Sequence, residues 1–484
     1  MSLKKQAFSG MIWTFIEMFG GQIINFFVNI ILARKLFPED YGLIGMIFIF
    51  ITISNVLMDS GISTSILRSK NVDEEDYATL FVSNVTISII IYVIIFSFAP
   101  YIAKFYNKEI LSALIRVYGL NIIIQSFVIV QSIYLLKNLK FKKQTLMKLP
   151  SIIISSCVAI YMAYHGYGVW SLVWMYLLQN FCWALFHWVF GNWNPKLGFN
   201  YEIFKKHFSY GNKLVVVELL NSSTANIYQI VLGKFFNSGL VGNYTQAITL
   251  RQIPVSNIYG AIMKVLFPIF SKIQGNKKSF NHYFLFCQEV LLLILVPIFI
   301  FMGFYSKEIL ILLFSKKWEN ASFFLTAACI AGLFGSITNY NISILKIVVD
   351  SSKILKFEMI NKIQLFFFIV LSLFISRDAN LLVSTLPLCA LISFLFSNIM
   401  INRALDVNFF KMVFSIFLYI TFALVGVLGA KYIYYLSGDS NLPLFYQVSS
   451  SAILAFAIFI IFVRIFRKKI LIEFFDLVKG NFKF

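Results

Sequence analysis

Four cationic side chains stand where charge is costly. Arg251 lies about nine residues into an apolar run, roughly 13 Å deep at a helical rise of 1.5 Å per residue. Arg116 sits inside a second run, and Lys213 and Lys264 sit near the ends of two others. An arginine at such depth is rarely tolerated without a role, and its planar fork of donors suits phosphate oxygens. The other three are shallow enough for their heads to reach the headgroup layer. Three carboxylates, Glu17, Glu218 and Asp59, occupy comparable positions. A desolvated carboxylate can hold a proton or a sodium ion, or pair with a cation when a gate closes. The amides Asn25 and Asn226 complete a set suited to binding and ion coupling rather than to bond making.

Other chemistries find little support. The five cysteines (Cys157, Cys182, Cys287, Cys329, Cys389) lie far apart inside apolar runs, and the four histidines are scattered, so no metal site and no cofactor is expected. There is no GxxxxGK[ST] loop for ATP. The acidic run Asp73–Asp76 reads as a solvated loop. The expectation is a non-enzyme with no catalytic residues.

The elements that must position these groups follow from composition. Of 484 residues, 59% are apolar, 18% aromatic and only 13% charged, against about 45–50% apolar and about 25% charged in soluble domains. A water-soluble fold could not hide that much apolar surface. The net charge of +20 would suit nucleic acid only on a soluble basic face. Here the basic residues fill short gaps between apolar runs, so no nucleic-acid partner is expected. The first apolar run continues past Ile30 with no small-residue cleavage site, so the first helix is expected to remain in the mature chain.

A bilayer core about 30 Å thick takes about 20 apolar residues per helix. Runs of that length lie near 10–33, 42–66, 77–103, 111–136, 147–165, 168–190, 209–232, 242–270, 281–304, 318–345, 357–376, 381–401, 412–436 and 445–463. The expectation is an all-α polytopic membrane protein with about 14 spans. Segments such as Ile87–Phe98 are apolar on every face, which excludes the alternating strands of a barrel. With both termini cytoplasmic, lysine and arginine favour the inner gaps over the outer ones by about three to one.

The chain also repeats. Gly10…Glu17 at the start of the first run matches Gly211…Glu218 at the start of the seventh, the register continues to Asn25 and Asn226, and one residue of slippage pairs Gly42 with Gly242. Six spans separate the copies, an even number, so both halves would share one orientation, a common plan in transporters. The expected division is a six-helix bundle over 1–208, a second over 209–404, two further spans over 405–463 and a basic amphipathic tail over 464–484. The tail alternates basic and apolar residues as helices drawn to anionic lipid surfaces do. Glu17, Gly21, Asn25 and Asn29 share one helix face, as do Glu218, Ser222 and Asn226. Such a stripe should face protein or water rather than lipid.

Residues Ile31–Lys70 carry a basic pair, a Pro-Glu-Asp-Tyr-Gly turn and a helix ending Asp59-Ser-Gly61, and Gly242-Asn-Tyr…Leu250-Arg251-Gln-Ile-Pro254 follows later. Both segments resemble those of bacterial polysaccharide flippases, the polysaccharide-transport branch of the multidrug/oligosaccharidyl-lipid/polysaccharide exporter superfamily. The resemblance implies a V-shaped pair of six-helix bundles around a central cavity, of the multidrug-exporter type, in the bacterial cytoplasmic membrane. It implies alternating access for an undecaprenyl-diphosphate-linked oligosaccharide destined for O-antigen, capsule or exopolysaccharide. Membrane lipids, a glycan polymerase and chain-length proteins are the expected partners, and H+ or Na+ the expected driving ion.

Two other classes compete. A cation-coupled small-molecule exporter of the same superfamily would line its site with apolar and acidic groups, whereas a diphosphate carrier needs buried cations. A membrane glycan polymerase or ligase would need a long outer loop bearing catalytic residues, and the longest outer gap, near 305–318, is too short.

Overall fold

The computed structural model describes residues 3–478 apart from 60, 70–71, 192, 194–196, 261, 264–269, 272, 274 and 437–442. Among the described residues the chain is helical throughout, with no strand. That is what lipid requires, because a helix satisfies its own backbone donors and acceptors. The chain separates into two compact units, Met1–Gly242 and Asn243–Phe484.

The first unit contains α1 (Leu3–Lys35), α2 (Pro38–Asp59), a short α3 (Ile62–Arg68), α4 (Glu74–Tyr106), α5 (Ile110–Lys137), α6 (Phe141–Tyr164) and α7 (Val169–Phe190). α8 (Tyr201–Ala225) and α9 (Ile227–Phe235) follow. α4 packs along α5, α6 along α7 and α1, and α7 along α5, while α2 and α3 touch α8. An aromatic cluster of Tyr77, Phe81, Tyr134 and Trp193 fills the end of the unit where α3, α4 and α5 meet. The turn between α2 and α3 needs Gly61, whose φ is +67° and whose missing Cβ leaves room for Gly211 of α8.

The second unit begins within α10 (Ser238–Pro254), which gives way at Pro254 to a π-helical turn, Val255–Tyr259. It continues with α11 (Lys277–Phe304), α12 (Ser306–Phe314), α13 (Ser322–Val348), α14 (Ser351–Ile375), α15 (Ala379–Leu405), α16 (Phe409–Leu436), α17 (Leu444–Phe466) and α18 (Lys468–Val478). α13 is the hub, flanked by α11, α14 and α15, and α16 pairs with α17. The Tyr340 ring stacks on Phe284 and its hydroxyl donates to the Phe284 carbonyl at 2.9 Å, locking α13 to α11. Glu289 of α11 accepts from Tyr419 Oη at 2.8 Å and pairs with Arg467 at 3.5 Å, which fixes the start of the basic C-terminal helix. Residues 479–484 of the expected tail lie outside the described residues.

Twelve helices among the described residues are long and apolar enough to cross a membrane. Of the about 14 spans expected from the sequence, the two segments beyond these twelve are interrupted. The 209–232 run is divided between α8 and α9 at Asn226. The 242–270 run bends into the π turn after Pro254, and much of its remainder lies outside the described residues. Pro254 is thus the last residue of the regular helix, and the π turn starts directly after it.

Repeat-related glycines meet within the first unit. A Cβ on Gly42 would lie 1.7 Å from the Ser238 carbonyl oxygen, and a Cβ on Gly242 would lie 1.8 Å from that of Pro38. The contact is reciprocal, as expected where two copies of one motif cross about a local two-fold axis. Only glycine allows helix backbones this close.

Candidate functional site

Arg251 occupies the last turn of α10. Its stem lies on Gly332 of α13, where an added Cβ would come 2.7 Å from Arg251 Cδ and 3.0 Å from Phe299 Cε1. The absence of a side chain at Gly332 is what admits the arginine. The guanidinium makes one long hydrogen bond, 3.5 Å from Nη2 to Gln252 Oε1, and its Nε is buried with no hydrogen-bond partner. Among the described residues no carboxylate lies within 4 Å of it, and the Glu289 carboxylate of α11 is held by Tyr419 and Arg467. Beyond Arg251 the π turn brings the Tyr259 hydroxyl within 3.1 Å of Ser343 Oγ on α13. Between these contacts a cavity of about 220 Å³ opens, lined by α13, α14 and α15.

In the first unit Glu17 belongs to a polar track. The Thr145 hydroxyl lies 3.0–3.3 Å from three acceptors, Phe141 O, Trp13 O and Glu17 Oε2. Lys148, one turn on, lies within electrostatic reach of Glu17 and places its ammonium 3.7 Å from the Trp183 ring centroid. One turn beyond Trp183, the buried His187 has Nδ1 2.9 Å from the Trp183 carbonyl. That carbonyl can only accept, so Nδ1 carries the proton, and the buried Nε2 has no partner. Lys148 stands at the start of the 147–165 apolar run, directly after a basic gap.

The other expected site residues fall as follows. Glu218 is exposed on α8, unlike half-buried Glu17 at the matched position, and Asn25 is exposed on α1. Asn226 is buried and donates to the Ser222 carbonyl at 2.8 Å, where α8 gives way to α9. Asp59 accepts from the backbone N–H and hydroxyl of Ser63, closing the turn into α3. Arg116 spans to α4, with Nε 3.4 Å from the Phe96 carbonyl and its guanidinium 4.5 Å over the Phe96 ring. Lys264 and the side chain of Lys213 lie outside the described residues.

One expectation is corrected. Asp73–Asp76 is not a solvated loop: Asp73 and Asp76 form the capping box that opens α4. Asp76 is buried and accepts from His207 Nε2 at 3.1 Å, while His207 Nδ1 lies 2.8 Å from Ser65 Oγ. Lys137 of α5 donates to the Ile66 and Ser69 carbonyls at 2.9 and 2.6 Å. These bonds tie α3 to α4, α5 and α8.

Residues 31–323, more than half of the chain, match a family described as polysaccharide biosynthesis protein. The chain belongs to this family. Its relatives include the teichuronic acid biosynthesis protein TuaB of Bacillus subtilis (strain 168), 26% identical over 71% of this chain and 72% of the relative. The lipopolysaccharide biosynthesis protein WzxC of Escherichia coli (strain K12) is 25% identical over 70% of this chain and 69% of its own length. Among solved structures, the lipid II flippase MurJ in an inward closed conformation superposes with a TM-score of 0.72 at 15% identity, covering 95% of this chain and all of that one. An inward-facing multidrug resistance MATE family transporter gives a TM-score of 0.61 at 16% identity over 82% of this chain. These likenesses show the fold alone, which this chain shares with both transporters. Within the polysaccharide biosynthesis family, this member carries a half-buried arginine on α10 whose described surroundings hold no counter-charge.

Proposed function

We propose that this polysaccharide biosynthesis family member is a flippase. It carries undecaprenyl-diphosphate-linked oligosaccharide units from the cytoplasmic to the outer leaflet of the bacterial cytoplasmic membrane, without making or breaking a covalent bond. A diphosphate headgroup bearing sugars cannot cross hydrocarbon unaided, because each desolvated polar group costs several kcal/mol. A carrier needs a sheltered cation for the diphosphate and polar groups for the sugars. The observation that carries the reading is Arg251, whose Nε is buried and unpartnered and whose stem lies on Gly332, three residues along α13 from the Gly335 that lines a polar cavity. A sheltered cation without a counter-charge is costly, and a dianionic cargo supplies the missing charge. A cation-expelling drug site would place the opposite sign there. The named roles of the relatives in teichuronic acid and lipopolysaccharide biosynthesis agree with this cargo.

The accompanying proposals are alternating access between repeat-related bundles of residues 1–208 and 209–404, cytoplasmic termini, and coupling to H+ or Na+ through Glu17 or Glu218. A polymerase and chain-length proteins would then take the cargo at the outer face. The test is complementation of a strain lacking its polysaccharide flippase, reading surface glycan and accumulated lipid-linked precursor. Wild type should rescue; Arg251→Ala, expressed at equal level, should not; Arg251→Lys should rescue in part, keeping the charge and losing the fork. Equal rescue by Arg251→Ala would remove the arginine from cargo binding. Failure of wild type together with drug efflux from the same cells would favour the small-molecule exporter.

A further inference from the structure

The cavity between α13, α14 and α15 lies one helical turn from the arginine. Gly332, which supports the Arg251 stem, and Gly335, which lines the cavity, are three residues apart on α13, about 4.5 Å along the axis. Asn339 and Ser343 continue the same face, and Ser343 holds Tyr259 of the π turn. The segment bearing Arg251 and Tyr259 therefore brackets the α13 wall of the cavity.

The lining is polar and mostly neutral. Thr338 and Asn339 come from α13, Glu358 and Asn361 from α14, and Ser393 from α15. The Ser393 hydroxyl donates to Asn361 Oδ1 at 2.9 Å, which leaves the Asn361 amide N–H groups as donors and the Glu358 carboxylate as acceptor. Paired donors and acceptors suit vicinal hydroxyls, each of which both donates and accepts. Phe357 and Ile342 add an apolar wall, against which the C–H face of a sugar ring can lie.

Size and charge narrow the ligand. The volume of about 220 Å³ holds roughly seven waters at about 30 Å³ each. That is the room of one hydrated pyranose, and it falls below the roughly 300–1,000 Å³ of drug-sized sites. Glu358 is the one carboxylate among the described lining residues, so a diphosphate would be repelled here. A hard cation would want several oxygens drawn in to about 2.0–2.6 Å, in a much smaller space.

We infer that this cavity is a subsite for a single neutral sugar ring of the lipid-linked glycan, seated beside the diphosphate held at Arg251. The assignment rests on the flippase reading. It makes α13, α14 and α15 the part of the carrier that senses which sugar stands next to the diphosphate.

The test uses purified full-length protein in nanodiscs. The probes are undecaprenyl diphosphate alone and the same lipid carrying one glucose, one galactose or one N-acetylglucosamine. Wild type should bind at least one glycosylated probe about tenfold more tightly than the bare lipid, the scale of one or two good hydrogen bonds. Gly335→Leu fills the cavity from a position where an added Cβ meets nothing within 4 Å, and Glu358→Gln removes the acceptor charge while keeping the shape. Both should bring the ratio of glycosylated to bare affinity close to one, whereas Arg251→Ala should weaken every probe. A ratio unchanged in Gly335→Leu and Glu358→Gln would overturn the subsite. So would equal binding of all probes by wild type, which leaves the flippase reading intact. A sodium dependence abolished by Glu358→Gln with the ratio preserved would assign the cavity to a cation instead. Binding of no probe by wild type would count against the flippase reading itself.

Discussion

The reciprocal glycine crossing gives the sharpest quantitative expectation. In Gly42→Ala the new methyl would sit 1.7 Å from the Ser238 carbonyl oxygen. Carbon–oxygen contacts between helices settle near 3.3 Å, so the backbones must part by about 1.6 Å. The obstructing atom belongs to the backbone and cannot rotate away, and the Gly242 nitrogen lies 3.1 Å from the same methyl. Overpacking of this kind costs about 1–3 kcal/mol where neighbours yield, and more where they do not. Gly242→Ala meets the Pro38 carbonyl at 1.8 Å and should cost as much. The double variant should cost less than the sum, because the first methyl already opens the space the second one needs. Gly260→Ala is the control, since an added Cβ there meets nothing within 4 Å. Thermal unfolding in detergent, followed by a thiol-reactive dye, should show both single variants melting several degrees below wild type and the control unchanged. A Gly42→Ala protein that melts like wild type, or a double variant whose loss equals the sum, would refute the crossing.

Three further outcomes follow from the geometry. Gly332→Ala should displace the Arg251 stem, which lies 2.7 Å from the added methyl, and should lower glycan rescue more than it lowers stability. Rescue at the wild-type level would show that the arginine is not positioned through Gly332. Glu17→Gln should alter the pH or sodium dependence of flipping in vesicles, because Glu17 is hydrogen-bonded and faces Lys148, while exposed Glu218→Gln should alter it less. Unchanged dependence in Glu17→Gln would reject a coupling role for that residue. His207→Leu removes the partner of Asp76 and of Ser65 and should cost about 1–3 kcal/mol, read as a lowered unfolding temperature with α3 more open to protease.

Some of the site is legible in the sequence because lipid makes polarity conspicuous. Arg251 and Glu17 stand out as charges inside apolar runs; the structure lays the Arg251 stem on Gly332 and hydrogen-bonds Glu17 to Thr145. Pro254 announces the break that becomes the π turn. The pairing of Gly42 with Gly242 in the repeat anticipates two residues that meet across one crossing. Glu218 shows the limit of the repeat: matched in sequence to Glu17, it is exposed, because α8 packs against α2, α3 and α4 whereas α1 packs against α6. Lys148 was hidden by its neighbours, since a lysine in a basic gap and a lysine one turn inside a span read alike until the helix start is known. Asp76 and His207 were hidden by their separation of 131 residues.

Composition and the length of the apolar runs dictate that this chain spans a membrane as helices. With 59% apolar residues and 13% charged, the apolar surface must leave water, and runs apolar on every face leave helices rather than a barrel to satisfy the backbone there. The same runs also mark which side chains are too polar to face lipid. Tertiary structure decided which of those polar groups find partners and which are left with none. Glu289 is matched by Tyr419 and Arg467, and Asp76 by His207, while Arg251 keeps an unpartnered Nε. Hydropathy is a local property that survives along the chain. The satisfaction of a buried donor depends on side chains brought to it from helices more than a hundred residues away, and only packing fixes those distances.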